Sequence, residues 1–600
     1  DLVVNNVNMP PFIYKNNTDQ QANALQLSFK ALGKNTFGVG TKAIIYYGGN
    51  QSMGEQFPSR GFMSASPNRL HFGLGAAKKV DSIEVIWPNR TKSVLKDIAA
   101  NQLLHIDQHQ VPTQAIPESE TLQVLQEEIF PEIAHEEGPY IDFNFEQLLP
   151  EMVSHQGPAL AVGDVNGDGY DDVYLGGGKK QSGQLVLSNP NGTYTVRTEP
   201  FVAAQNAEEV VALFVDTDRD GDLDLYVGTG GKAFSKFDSA LKDLFYLNDG
   251  RGNFKPFAFA IEEAPLLNTG VVISFDADAD NDPDLWIAGR YDTETYGLPS
   301  SGYLLINDGL GKFSLSSSEA FKDMGMVRSA VVADLNADSW PDIIASGDWM
   351  NVEIYLNRAG EFERATDLFG MENTRGMWGA LYLADLNGDG IKDLIAGNVG
   401  TNSLYQTGMG MWVADFDQNG RQDQLFSYQI NGEDYPIHDK DELSQQLPYL
   451  KKNRLLYADY STATLEKLLG QSALESSTNY RLNLITTSAW VFDGDKFTAI
   501  PLPSELQYAH IHAITESDQN KDGFNDLLFG GNQSRIKPRF GASDASSGWA
   551  IPGGKKGYLI NQMPLPLGIK GDIRAISPIK TKAGNRTIFG INNQKISILP

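Results

Sequence analysis

The sequence predicts an all-β chain. The expectation is a seven- or eight-bladed β-propeller with Asp-rich Ca²⁺-binding loops, preceded by a small β-rich domain and interrupted by a helical insertion at about 430–485. Three observations carry this. A nine-residue pattern, D-x-[DN]-x-[DN]-(G)-x-x-D, occurs seven times. Short apolar runs flank each copy, as residues 159–162 and 173–175 flank the first, at the length of strands rather than helices. The first positions fall at 164, 216, 276, 334, 385, 415 and 518, and units of ~50 residues with four short strands have the period of propeller blades.

Each loop is built for a hard cation. Ca²⁺ takes six to eight oxygens, and short carboxylate and amide side chains on a tight loop can converge on one point. Positions 1, 3, 5 and 9 supply side-chain oxygen, and position 7 is expected to offer a backbone carbonyl. The first three sets are Asp164, Asn166, Asp168, Tyr170 and Asp172; Asp216, Asp218, Asp220, Asp222 and Asp224; and Asp276, Asp278, Asp280, Asp282 and Asp284. The fourth and fifth are Asp334, Asn336, Asp338, Trp340 and Asp342, and Asp385, Asn387, Asp389, Ile391 and Asp393. The last two are Asp415, Asp417, Asn419, Arg421 and Asp423, and Asp518, Asn520, Asp522, Phe524 and Asp526. Position 6 needs a positive φ, which glycine adopts freely and asparagine tolerates. Glycine stands there in five loops, Asn281 in the third and Ser339 in the fourth, so the fourth loop should bind most weakly. An EF-hand shares the first nine positions but needs Glu at position 12. Here position 12 is Leu175, Val227, Ile287, Ala345, Ala396, Phe426 or Phe529. The bland alternative is a set of ion-free Asp/Gly turns.

Composition bounds the rest. The 600 residues allow two to four domains, and the absence of cysteine removes disulfide and thiolate chemistry. A net charge of −28 argues against nucleic acid or anionic lipid as partners. Ligand positions 1, 3, 5 and 9 account for 23 aspartates, so seven divalent ions would halve that charge. No apolar run reaches the ~18 residues of a membrane span.

In chain order, residues 1–21 read as the tail of a truncated upstream repeat. Asp1–Asn6 and Phe12–Asn16 parallel Asp224–Thr229 and Leu244–Asn248, which makes Asp1 a ninth loop position. An upstream propeller in the natural protein is therefore expected, and any secretion signal would lie there. Residues 22–108 carry alternating runs, such as Leu25–Phe29, Ala43–Tyr47 and Ile83–Trp87, that suggest a small β module. Residues 109–138, with Pro112, Pro117 and Pro131, read as a linker, with a short helix over Glu118–Glu128. Residues 139–600 form the repeat body. Tyr140–Phe145 is expected to be an outer strand completing a last, loop-free blade built from Arg574–Pro578, Thr587–Asn592 and Lys595–Leu599. Loop spacings of 30 and 103 residues mark an irregular blade and an insertion, in which Asp439–Lys452 and Thr462–Ser476 read as helices.

Gly38-Val-Gly-Thr41, Arg60-Gly-Phe-Met-Ser64, His71-Phe-Gly-Leu-Gly75, Val80–Pro88 and Asn101-Gln-Leu103 resemble the ASPIC/UnbV domain. The Asp-rich loops resemble FG-GAP/VCBS repeats, as in the integrin α head. Together they resemble the cartilage acidic protein family, in its bacterial form. The resemblance implies a calcium-bearing propeller and an extracellular or cell-surface place. Attachment to a bacterial outer membrane, with a role in adhesion or nutrient capture, is part of what it implies.

If the loops join the first and second strands of each blade, the turns at the other strand ends surround the opposite mouth. Those turns hold His155, Asn268, Arg290, Arg328, Trp349, Arg375, Trp378, Asn398 and Arg535, a set suited to glycan or peptide carboxylates or to another surface protein. Tryptophans beside blade strands also commonly serve as packing between blades. The competing classes are a lyase-type polysaccharide-degrading enzyme and a purely structural module. No nucleophile elbow, zinc motif or phosphate loop is present, so no catalytic residue is assigned; His510 and His512 share one strand face and could bind a metal, although such a pair is more often structural.

Overall fold

Each aspartate-rich loop turns one strand back on the next, and that hairpin is the seed of every sheet but the last in the larger part of the chain. The computed structural model describes residues 1–6, 9–17, 22–115, 130–257, 264–316, 318–453 and 456–600. The helix expected over Glu118–Glu128 lies outside the described residues. The chain divides into two compact units, Asp1–Glu120 and Thr121–Pro600.

In the first unit, Asn23–Lys30 pairs antiparallel with Leu70–Gly75 and parallel with Gln102–Asp107. A second sheet runs in the order Gln114–Ala115, Thr91–Ala99, Lys79–Ile86, Lys42–Tyr47, Asn50–Glu55. Alternation places Leu25, Leu27, Phe29, Ile45, Ile83, Val85 and Trp87 in one buried core. Leu2–Val4 and Phe12–Tyr14 pair as a separate, largely exposed hairpin. Gln114–Ala115 extends the second sheet, so this part of the expected linker is structured.

The second unit is a series of antiparallel sheets consistent with the blades of a propeller. Sheets 1 to 4 begin at Leu160–Gly163, Glu209–Val215, Thr269–Phe275 and Met326–Ala333. Sheets 5 to 7 begin at Ala380–Ala384, Ile511–Ser517 and Ile573–Thr581. Sheets 1 to 6 each have a path of four antiparallel strands, to which sheet 4 adds Gly376–Met377 beside its second strand, and sheet 7 has three. Each first strand packs on the first strand of the following sheet, and that of sheet 7 packs on that of sheet 1. Seven sheets thus close a ring. The second strands are fully buried in the first six sheets, as Asp172–Leu175 and Asp284–Gly289 show, because a neighbouring sheet covers each face.

Three expectations are corrected. Tyr140–Phe145 does not complete sheet 7. A 3-10 turn covers Asp142–Asn144, and buried Asp142 accepts a hydrogen bond from Ser154 Oγ at 2.5 Å, which folds the segment on itself. The outer partner of sheet 7 is instead the stretch around Ala134, bridged to Lys595, with His135 N donating to Gln594 O at 3.0 Å. Burial of Ile133 fixes that choice.

Secondly, the short loop spacing reflects an insertion that starts well before residue 430. Sheet 5 runs Ala380–Ala384, Asp393–Gly397, Ser488–Phe492, Phe497–Ile500. Between its second and third strands the chain builds an extra sheet from Gly410–Ala414, Asp423–Ile430, Glu433–Pro436 and Thr478–Arg481, which carries the sixth loop. Thirdly, the inserted helices are shorter than expected: Lys440–Gln446, Leu450–Asn453, Tyr457–Tyr460, Leu465–Leu469 and Gln471–Glu475. Pro448 has no N–H to continue the first, and Gly470, at φ +88°, breaks the last pair.

Neighbouring sheets are also stitched by asparagines. Asn248 Nδ2 donates to Val165 O at 2.7 Å, Asn307 Nδ2 to Thr217 O at 2.8 Å, and Asn357 Nδ2 to Ala277 O at 2.8 Å. Each reaches from the third strand of one sheet to position 2 of the preceding sheet's loop. Replacing fully buried Asn357 by alanine leaves the Ala277 carbonyl without this donor. The expected cost is about 2 kcal/mol. Chemical denaturation of Asn357→Ala checks it, and an unchanged midpoint refutes the stitch.

Candidate metal centres

In all seven loops position 9 is the first residue of the second strand, and the same hydrogen bonds recur. The position 6 N–H donates to the position 1 carboxylate, as Gly169 does to Asp164 at 2.7 Å and Gly390 to Asp385 at 2.8 Å. The position 7 N–H donates to the position 5 side chain, as in Tyr170 to Asp168 at 3.0 Å and Phe524 to Asp522 at 2.9 Å. The position 2 N–H donates to position 9, as in Leu386 to Asp393 at 2.8 Å. In most sheets the other oxygen of position 9 accepts a third-strand N–H, for example Ser188 to Asp172 at 2.7 Å and Asn307 to Asp284 at 2.8 Å. In the sixth loop, Gln446 Nε2 takes that place at 2.6 Å from Asp423.

This arrangement requires two left-handed residues per loop, at positions 4 and 6. Gly390 stands at φ +89°, Asn281 at +67° and Ser339 at +71°, as the pattern implied for position 6. Position 4 was not foreseen. It is Arg219, Ala279, Ala337, Gln418 and Lys521 in five loops, at φ +58° to +61°. Side chains bearing a Cβ are disfavoured there, so the loops hold local strain against the carboxylate hydrogen bonds.

The donor sets fit a cation. Asp216, Asp218 and Asp220 place one carboxylate oxygen each within 4.8 Å of the others, and so do Asp276, Asp278 and Asp284, and Asp415, Asp417 and Asp423. Oxygens bound to one Ca²⁺ at 2.3–2.6 Å lie no farther apart than about 5 Å. Without a cation, two charges ~4 Å apart repel by ~4 kcal/mol at an effective dielectric of ~20. Burial, reinforced by acidic loop neighbours, pushes Asp172 up to about 7, and Asp224, Asp284 and Asp423 up to about 6. Asp342, Asp393 and Asp526 are raised for the same first reason. The fourth loop is compromised further, because Arg358 Nη1 lies 3.4 Å from Asp338 Oδ2. Adjacent loops also touch: Arg219 of the second pairs with Asp282 of the third.

The other end of the ring differs from the open mouth the spacing suggested. Residues 140–157 cross it. Val153 O accepts from Tyr291 Oη at 3.0 Å, Glu146 pairs with Lys232 at 2.6 Å, and Tyr405 Oη donates to Glu151 at 2.9 Å. Leu149 and Val153 share a core with residues of the extra sheet, including Met411, Val413 and Phe426. Most of the expected ligand residues lie beneath this cover. Trp349 and Trp378 are fully buried, Trp378 against Trp490 with Nε1 donating to Thr374 O at 3.0 Å, so both are packing residues. Asn268 and Asn398 are buried and bonded to backbone, and Arg290 is buried beside Asp348. His155 and Arg375 are partly buried, and only Arg535 of the nine is exposed.

A repeated β-bulge, invisible in the sequence, organises the interior. Five first strands shift register near their start, at Val210, Gly270, Arg328, His512 and Arg574. Arg328 Nη1 lies 3.2 Å from Asp348 Oδ1, and its Nη2 lies 3.0 Å from His512 Nδ1. Sheets 4 and 6 are not neighbours, so this contact crosses the inside of the ring. His510 and His512 do lie together, with ring centroids 5.7 Å apart. Burial, with Arg574 and Arg328 nearby, pushes His510 down to about 3 and His512 well below its ordinary value. Both imidazoles are neutral, and the arginines beside them oppose a bound cation.

Residues 31–113 match the family model described as ASPIC and UnbV. Residues 164–227, 276–345 and 334–396 match the FG-GAP-like repeat. The chain therefore carries an ASPIC/UnbV domain and FG-GAP-like repeats, with the sixth and seventh loops outside the matched stretches. No curated protein matches the sequence. Similar solved structures include BBS1N in complex with ARL6DN, at TM-score 0.35 and 10% identity, covering 75% of this chain and 94% of that one. The Dos1 propeller has TM-score 0.33 and 10% identity, covering 76% and 96%. The V. cholerae biofilm matrix protein Bap1 has TM-score 0.27 and 12% identity, covering 75% and 88%. Among the described residues, no helix is long and apolar enough to cross a membrane.

Two outcomes are expected. A carboxyl group raised on folding binds more protons in the folded chain between the ordinary value of 3.8 and the raised one, here about 6 to 7. Stability of the chelated protein should therefore fall as pH rises through that window, and saturating Ca²⁺ should abolish the fall. Melting temperatures from pH 4.5 to 8 with and without chelator check this, and a rise in the chelated series refutes it. Ser339→Gly should add about 1 kcal/mol by removing left-handed strain, whereas Gly390→Ser should lose a similar amount; denaturant midpoints decide.

Proposed function

We propose that the second unit is a seven-bladed β-propeller whose Asp-rich loops bind Ca²⁺, and that the protein is a calcium-stabilised binding or adhesion protein outside the cell. The observation that carries this is the recurrence of one loop design at seven places, with position 9 opening a buried strand each time. An ion held by positions 1, 3, 5 and 9 ties the loop to the strand that the next blade packs on. The asparagine stitches then pass that order to the neighbouring sheet. Calcium sites in extracellular modules work at roughly 10⁻⁴–10⁻³ M. We assign no catalytic role: burial pushes His510 and His512 well below their ordinary value, and Glu151 and Asp348 face arginine, histidine and tyrosine partners.

Recognition belongs on the end opposite the ion loops, but at its rim. The centre of that end is filled by residues 140–157 and by the extra sheet, so a partner would meet the surrounding turns. Glycans, peptides or another surface protein remain the candidate partners, with nucleic acid disfavoured by the charge of −28.

The test is calcium dependence. Chelation should lower the melting temperature substantially, and added Ca²⁺ should restore it. Asp389→Ala should cost more of the calcium-dependent stability than Asp338→Ala, because the fourth loop is strained at Ser339 and crowded by Arg358. A melting curve indifferent to chelator sinks the reading.

A further inference from the structure

The rim holds one cavity with the chemistry of a binding site. About 580 Å³ in volume, it lies at the seam of sheets 6 and 7, on the end opposite the ion loops. Four turns form it: residues 532–535 leaving the second strand of sheet 6, 544–547 before its third strand, 570–572 entering sheet 7 and 592–594 leaving its second strand.

Its floor is rigid and already satisfied. Asn532 Nδ2 donates to Ser546 O and Gly571 O, both at 2.9 Å, and Asn592 Nδ2 donates to Gly157 O at 2.6 Å. Asp572 accepts from Ser534 N at 2.9 Å and Oγ at 2.8 Å, with Arg574 3.7 Å away on its inner side. That carboxylate is therefore matched from within and does not cancel the charges of the rim.

The rim is unmatched. The side chains of Arg535, Lys570 and Gln594 have no hydrogen-bond or ion-pair partner among the described residues, and Arg535 and Lys570 are exposed. Asn593 uses its Oδ1 to accept from Glu137 N, which leaves its Nδ2 donors open. Against two rim cations stands one exposed acid, Asp544. The lining thus carries two cations and two acids, of which Asp572 is already engaged by Ser534 and Arg574, so both rim cations are open to a carboxylate even in a chain of net charge −28.

The remaining lining is short amides and hydroxyls, with Ala545 as its only apolar side chain and no aromatic ring. A peptide side chain would want an apolar subsite, and none is offered. Clustered donors and acceptors around a cation pair suit a ring of hydroxyls bearing one acid group. We infer that this cavity binds a uronic-acid unit of an acidic glycan, its carboxylate held by Arg535 and Lys570 and its hydroxyls by Asn593, Gln594 and Asp544. The inference rests on the reading of a calcium-stabilised binding protein that recognises its partner on this end of the ring.

The full chain, loaded with Ca²⁺, is titrated calorimetrically with mono- and digalacturonate, with their carboxyl-reduced counterparts and with triaspartate. Digalacturonate should bind at least tenfold more tightly than its reduced form and than triaspartate. Arg535→Ala combined with Lys570→Ala should weaken it at least tenfold with the melting temperature unchanged. Arg535→Lys, which keeps the charge, should retain most of the affinity. Absence of uronate binding, equal binding of the reduced sugar, tighter binding of triaspartate, or an unaffected double variant each overturns the inference. Melting with and without chelator is measured on the same samples. Calcium-dependent melting without uronate binding removes this inference alone, whereas calcium-independent melting removes the reading beneath it.

Discussion

Repulsion among clustered carboxylates is the constraint on which the second unit depends. Every loop brings several acids into one small turn and then buries the last of them at the head of a strand. Backbone N–H groups offset part of that cost, two of them converging on buried Asp172 alone. They do not remove it, since Asp172 is still pushed up to about 7. A divalent cation is the natural complement to such a set, because it neutralises two charges at once and fixes the geometry that brings them together.

The consequence reaches past each loop. Position 2 carries a carbonyl that the next sheet's asparagine uses, and Arg219 pairs with an acid of the following loop. Order in one loop is therefore linked to the seam beside it. Where the ring closes, the stretch around Ala134 bridges to Lys595 at the outer side of sheet 7. Local charge neutralisation and global closure are two scales of one device.

The opposite end solves a different problem. Seven strand ends converge there, and bulges turn Arg328, His512 and Arg574 inward where water would otherwise stand. Residues 140–157 meet them with Glu146, Glu151 and backbone carbonyls, so the polar interior is matched in part, while atoms such as His155 Nε2, His512 Nε2 and Arg574 Nε have no hydrogen-bond partner among the described residues. Polar burial of this kind is costly when half satisfied and specific when complete. It also moves any recognition surface from the axis to the rim, where Arg535 is exposed and Trp378 is not.

What was legible in the sequence is what local chemistry dictates. Aspartate spacing, glycine or its substitute at position 6, and short apolar flanks identify the loops and their strands without reference to the rest of the chain. Leu386 and Asp393 meet because seven residues of tight turn leave them little choice. The number of sheets in the ring, the extra sheet around the sixth loop and the burial of Trp349 and Trp378 were decided only by tertiary structure. Those outcomes depend on contacts between residues far apart in sequence: Glu151 with His510, Arg328 with His512, Ala134 with Lys595. A local pattern specifies a turn because its partners are within a few bonds. Which strands close a ring, and what fills its end, depends on competition among distant surfaces for the same buried space.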